Sequence, residues 1–266
     1  WDEDLRADRQ PEFTQLDLEM SFVDEEDVLT MIEELYTRMI ETVTPEKNLV
    51  KPFPRITYDE AIARYATDKP DLRFALEMAD VTDIALQTDF RVFHRTVEGG
   101  GSVKGFVAPG LGGYSNAMMR ELEDLARSRG AKGLSHIRIG TERPLEQLTV
   151  EDLQFAQGLR MTPAQVQEVT RRMGGGPGDL VLLMAGPSRE IDPALSALRN
   201  EVGERLELAD PDALCFAFVV DFPLFERNHD QDRWDSSHHP FTSPVEEDAP
   251  NLKSDPKSVR GQHYDV

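Results

Sequence analysis

The 266-residue sequence contains one cysteine, few lysines and no run of about 18 apolar residues. A single thiol, Cys215, excludes an intramolecular disulfide and a cysteine-built zinc cluster. It sits within the apolar run 214–220, which predicts a small buried hydrophobe and suits a reducing cytoplasm. Without a long apolar run, no membrane span is predicted, and no basic-then-apolar secretory leader is visible. Methionine is missing from the first position, which Trp1 holds, so the sequence is expected to begin downstream of a natural start or to have been processed or truncated. Positive charge is also scarce. Of 29 basic residues 7 are Lys and 22 Arg, set against 50 acids, for a net charge of −21. That speaks against a general nucleic-acid binder, which needs surplus basic residues for phosphate, but leaves room for a local basic patch. The arginine bias suits bidentate phosphate and carboxylate contacts, but nucleotide composition can produce the same bias, so it carries little weight.

What is present is ordinary globular material, 39% hydrophobic and 30% charged, enough for one large or two medium domains. Residues 14–22 alternate: Thr14, Leu16, Leu18, Met20 and Phe22 fall on one side, and Gln15, Asp17, Glu19 and Ser21 on the other. The pattern predicts a half-buried strand whose polar face is either solvent-exposed or the floor of a site for a cation or donor-rich ligand. A helix follows, capped by Asp24, with an apolar stripe of Val28, Met31, Ile32, Leu35 and Met39. Thr57 and Glu60 make a capping-box pattern for a short helix ending near Tyr65, and 68–83 reads as irregular or weakly helical.

From about residue 84 short strands (90–94, 103–108, 134–139, 180–185) alternate with helices, one over 115–129 and one opened by Thr162-Pro163 and closed by Gly174. The glycine-rich stretches 99–101 and 174–178 lack phosphate-cradling spacing and read as turns. Asp192-Pro193 predicts a last helix to about Leu206, the run 214–222 a central strand, and the tail from His229 a loop. The block 84–212 has the texture of an α+β module inserted into a parent domain.

The densest chemistry lies at Asp2-Glu3-Asp4-Leu5-Arg6-Ala7-Asp8-Arg9-Gln10-Pro11-Glu12-Phe13-Thr14-Gln15. Alternating arginines and acids suit a polyphosphate or a nucleic-acid end, although such runs are also ordinary solvated loops. The stretch resembles the motif 2 loop and strand of class II aminoacyl-tRNA synthetases, in the form found in bacterial-type aspartyl-tRNA synthetases. Tyr-Ala-Thr-Asp-Lys-Pro-Asp-Leu-Arg-Phe at 65–74, Asp-Phe-Pro-Leu-Phe-Glu at 221–226 and His-His-Pro-Phe-Thr-Ser-Pro at 238–244 resemble the same family in the same order.

The resemblance implies an α+β fold. An antiparallel class II sheet with flanking helices would be divided between 1–83 and 213–266, with the inserted α+β domain at 84–212. It implies ATP-dependent activation of aspartate to aspartyl-adenylate, transfer to tRNA, magnesium as activator, and a cytoplasmic homodimer. Asp2, Glu3 and Gln10 would lie at the ATP, and Glu3, Arg6 and Arg9 at the tRNA acceptor end. Gln15 and Asp17 would bind the aspartate ammonium group. His238, helped by His239, would meet the aspartate side-chain carboxylate, where a protonated imidazole favours aspartate over asparagine. Asp265 would be a magnesium ligand.

Trp1 departs from the pattern. The family carries an arginine there, at the α-phosphate, and an indole offers one donor and no charge. The anticodon-binding barrel, motif 1 and motif 3 also lie outside this sequence, so the isolated chain is expected to be inactive. The competing expectations are a non-catalytic insertion module, like one in a tRNA-dependent amidotransferase subunit, and a nucleotide-binding protein with another substrate.

Overall fold

The two longest strands set the architecture, because both are largely buried on both faces. β4 (Ser102–Ala108) and β7 (Leu180–Gly186) pair antiparallel over their whole length, from Ser102 opposite Gly186 to Ala108 opposite Leu180. Successive strand side chains point to opposite faces. Phe106, Ala108, Leu180, Leu182 and Met184 therefore enter one core, while Val103, Val107, Val181 and Leu183 enter another. A sheet apolar on both faces needs cover on both, and helices provide it.

The computed structural model describes residues 12–228 and 231–266, in two units, Trp1–Met39 and Ile40–Val266. In the first, helix α1 (Glu25–Val43) begins with Asp24 and Asp27 each accepting the other's backbone N–H at 3.1 Å, a reciprocal cap. Leu29 is its buried residue, while Leu35 and Met39 of the predicted stripe stay exposed. The strand expected at 14–22 does not form: residues 12–22 are exposed and join no ladder among the described residues. Alternation specifies a face, but a strand exists only through a hydrogen-bonding neighbour.

In the second unit, β1 (Asn48–Leu49) pairs parallel with β8 (Ala213–Leu214), and β2 (Arg55–Thr57) with β9 (Phe218–Val220). Thr57 closes β2 and caps α2 (Tyr58–Tyr65), its side chain accepting from the Glu60 N–H as the pattern predicted. Between these parallel pairs the chain builds a five-stranded antiparallel sheet. Its order is β3 (Ala79–Asp80), β4, β7, β5 (Ser135–Ile139), β6 (Leu153–Phe155). α3 (Thr82–Ala85), α4 (Arg91–Glu98) and α6 (Pro163–Arg172) supply Ile84, Phe93, Val166 and Val169 to one core. α5 (Asn116–Ser128) and α7 (Ser188–Arg205) supply Leu122, Leu195, Leu198 and Val202 to the other. Two short strands complete the unit, β10 (Phe225–Asn228) and β11 (Arg233–Ser236), an antiparallel pair. The fold is α+β with mainly antiparallel sheet, as expected. Among the described residues no helix is long and apolar enough to cross a membrane.

Four local expectations change. Residues 90–94 begin α4, because Phe93 and Val97 four residues apart make a helical face. α7 starts at Ser188, with Pro193 inside it and Asp192 buried against Lys104. The apolar run 214–222 is divided between β8 and β9, and Cys215 between them is half-buried. The tail from 229 contains β11, because Arg227 lies over the Trp234 ring, 5.3 Å from its centroid, and locks the two strands together.

Candidate functional site

A narrow ladder of three irregular segments carries the best-formed site. Residues 259–265 run between the segment 219–224 and the segment 243–245. Val219 and Asp265 exchange backbone hydrogen bonds of 2.9 and 3.0 Å, and Gly261 N–H donates to the Phe222 carbonyl at 2.8 Å. On the other side Val245 N–H donates to the Arg260 carbonyl, and Gln262 N–H to the Ser243 carbonyl. Arg260 binds Asp248 through Nε at 2.7 Å and reaches Asp221 at 3.5 Å. Hydrogen bonds from Arg260 hold the Asp248 carboxyl below the usual carboxylate range. Asp221 has φ 57°, left-handed backbone that aspartate tolerates. The loop 237–243 is anchored at its start by Ser237 N–H donating to the Leu224 carbonyl at 3.0 Å.

Four rings stack across this ladder. Tyr58 lies 5.1 Å from Phe222, Phe222 lies 5.0 Å from His263 with planes 27° apart, and His263 meets His238 edge-on at 4.5 Å and 81°. His238 has an exposed side and a side backed by rings. Both ring nitrogens of His263 are buried without a hydrogen-bond partner among the described residues. Burial first, and His238 beside it second, push the His263 pKa down, while Asp265 opposes the shift. Burial, then Asp68 and Glu226, pushes the Tyr58 phenol up. His239 takes a different role: its Nδ1 accepts the Phe241 N–H at 3.2 Å, which shapes the turn that leaves Phe241 89% exposed.

The remaining predicted residues are placed as follows. Asp265 lies in the ladder of the second unit, and His238 and His239 lie in the adjoining loop 237–243. Gln15 and Asp17 lie in the first unit, exposed, with Gln15 Nε2 donating to Asp17 Oδ1 at 2.5 Å. Trp1, Asp2, Glu3, Arg6, Arg9 and Gln10 lie outside the described residues. No group of three His, Cys, Asp or Glu side chains among the described residues converges on a point for a metal ion. Asp265 is therefore not part of a three-ligand cluster among the described residues.

The sequence reading gives His263 no role and Phe222 none beyond its place in the 221–226 motif. The available signal was the alternation Gly261, His263, Asp265, which puts the histidine on the same side of an extended segment as the acid already singled out.

The class follows from comparison with known proteins. The family model described as tRNA synthetases class II (D, K and N) matches residues 1–266, and the chain belongs to that family. It is similar over its full length to three curated relatives, each named aspartate–tRNA(Asp/Asn) ligase. Identity is 46% over 266 residues with that of Dehalococcoides mccartyi strain CBDB1, 44% over 268 with that of Rubrobacter xylanophilus, and 40% over 265 with that of Geotalea uraniireducens. The chain spans 43 to 44% of the length of these relatives.

Proposed function

We propose that this chain is the central part of an aspartate–tRNA ligase that activates aspartate with ATP and passes it to tRNA. In the first step an aspartate α-carboxylate oxygen bonds to the α-phosphorus and pyrophosphate leaves. In the second a hydroxyl of the terminal tRNA ribose attacks the acyl carbon and AMP leaves. Most of the rate enhancement would come from positioning and charge stabilisation. The observation that carries the reading is His238: an imidazole with one side open, backed by Phe222 and His263, in a loop of the family's His-His-Pro pattern.

A protonated His238 would pair with the side-chain carboxylate of aspartate, and asparagine would leave that charge uncompensated. The Gln15–Asp17 pair would take the ammonium group, with Asp17 supplying the charge. Asp2, Glu3 and Gln10 would contact ATP, and Arg6 and Arg9 with Glu3 the tRNA end. Magnesium would neutralise phosphate charge, with Asp265 as one of its ligands and the others from outside the described residues. The relatives' names support a tRNA pair, tRNA(Asp/Asn), as acceptors. We place the longer protein in the cytoplasm as a homodimer. The five-stranded sheet, whose strands β4 to β7 fall within 84–212 and whose edge strand β3 lies just before it, supports reading 84–212 as an insertion flanked by 1–83 and 213–266 of the catalytic fold.

The test is aspartate-dependent ATP–pyrophosphate exchange by a protein of the relatives' length that contains this chain. Exchange that requires aspartate supports the reading. Exchange stimulated equally by an unrelated amino acid, or none at all, refutes it. The 266 residues alone are expected to give no exchange.

A further inference from the structure

We propose that His263 is a positioning residue for His238, fixing the imidazole plane that receives the substrate carboxylate. The inference rests on the functional reading above for what His238 binds; the ring geometry stands without it.

His238 needs such support. Among the described residues no hydrogen bond is made by its ring, and its exposed side offers no wall. An exposed imidazole on a loop can turn about two bonds, and a carboxylate is held only by the orientation that points an N–H toward it. What limits His238 is contact with two rings: His263 at 4.5 Å and 81°, and Phe222 at 5.6 Å and 54°. Phe222 is fixed by a backbone hydrogen bond from Gly261 and by the Tyr58 ring.

His263 is itself fixed, and by shape. It stacks on Phe222 at 5.0 Å and lies over the backbone of Gly261, where an added Cβ would stand 2.5 Å from Nδ1 and 2.8 Å from Cε1. Glycine at 261 is what leaves room for the ring. Neither nitrogen of His263 makes a hydrogen bond among the described residues, so its hold on His238 is that of a flat ring meeting another edge-on. A flat ring of another kind should therefore do the same work, and a shapeless side chain should not.

The experiment compares His263→Ala, His263→Phe and Gly261→Ala with the parent. The first readout is exchange kinetics in the protein of the relatives' length. Misplacing a binding group by a fraction of an ångström raises KM for the ligand it receives, so His263→Ala should raise KM for aspartate about 10-fold, with KM for ATP and kcat little changed. His263→Phe should restore the parent KM, and Gly261→Ala, which displaces the ring, should resemble His263→Ala. Equal loss of kcat in His263→Ala and His263→Phe, or an unchanged aspartate KM in His263→Ala, overturns the proposal. The second readout needs no activity. In the 266-residue chain, the His238 ring carbon–proton NMR signals should shift in His263→Ala and return in His263→Phe. Unchanged signals in His263→Ala overturn the geometry itself. Altered signals in a protein without aspartate-dependent exchange would instead leave the geometry standing and remove the functional reading.

Discussion

The guanidinium of Arg199 lies 4.3 Å from the centre of the Phe74 ring, and the same group sits 4.9 Å from the ring of Tyr65. Arg199 is 1% exposed, and it donates to four main-chain carbonyls, those of Asp71, Phe74, Ala75 and Leu76, at 2.7 to 3.1 Å. One α7 side chain thereby satisfies a stretch of chain that has no regular structure of its own. Arg199→Leu should leave those carbonyls unpaired and cost about 3–5 kcal/mol in urea unfolding. Arg199→Lys keeps the charge but not the planar fork, and should fall between the two. A loss under about 1 kcal/mol for Arg199→Leu would show that the carbonyls find other partners.

Lys104 and Asp192 form a largely buried ion pair at 3.0 Å, their side chains 12% and 10% exposed. Burial pushes the Asp192 carboxyl up, and Lys104 pulls it back. Lys104→Met should cost about 3–5 kcal/mol because it strands a carboxyl, while Lys104→Met with Asp192→Leu should recover most of that loss. A double variant as unstable as the single one would mean the pair holds β4 to α7 in a way apolar packing cannot replace.

His136 on β5 has 6% of its surface exposed, and burial first, then the Arg138 charge, lowers its pKa to about 4. An unfolded histidine takes a proton near pH 6.5, the folded one near 4, so the unfolded state binds more protons between these values. The stability from the neutral ring is fully present above pH 6.5 and is lost as pH falls toward 4. Between pH 7 and pH 5 this group should remove about 2 kcal/mol from the unfolding free energy. His136→Leu should flatten that part of the profile, and an unchanged slope would place the acid sensitivity elsewhere.

Much of the fold was legible because its signals are local. Ser115, Thr162 and Thr57 announce the helices they cap, and the strands β4 and β7 announce themselves by apolar runs between turns. Residues 14–22 were misread as a strand because pairing is a property of two segments and alternation is a property of one. Residues 90–94 were misread because a short apolar run fits either period. His238, His239 and Asp265 could be picked out through family motifs. The contact of Tyr58, Phe222 and His263 behind His238 could not, because only the ladder of 219–224 and 259–265 brings these rings together.

The most direct measurement is the aspartate and ATP dependence of pyrophosphate exchange after Asp17→Asn, in a protein of the relatives' length carrying this chain. In the proposed function Asp17 meets the ammonium group and not ATP. Removing its charge should cost about 2–3 kcal/mol of amino-acid binding, roughly a 100-fold rise in KM for aspartate, with KM for ATP little changed. A rise confined to ATP, with aspartate KM at the parent value, would contradict the account.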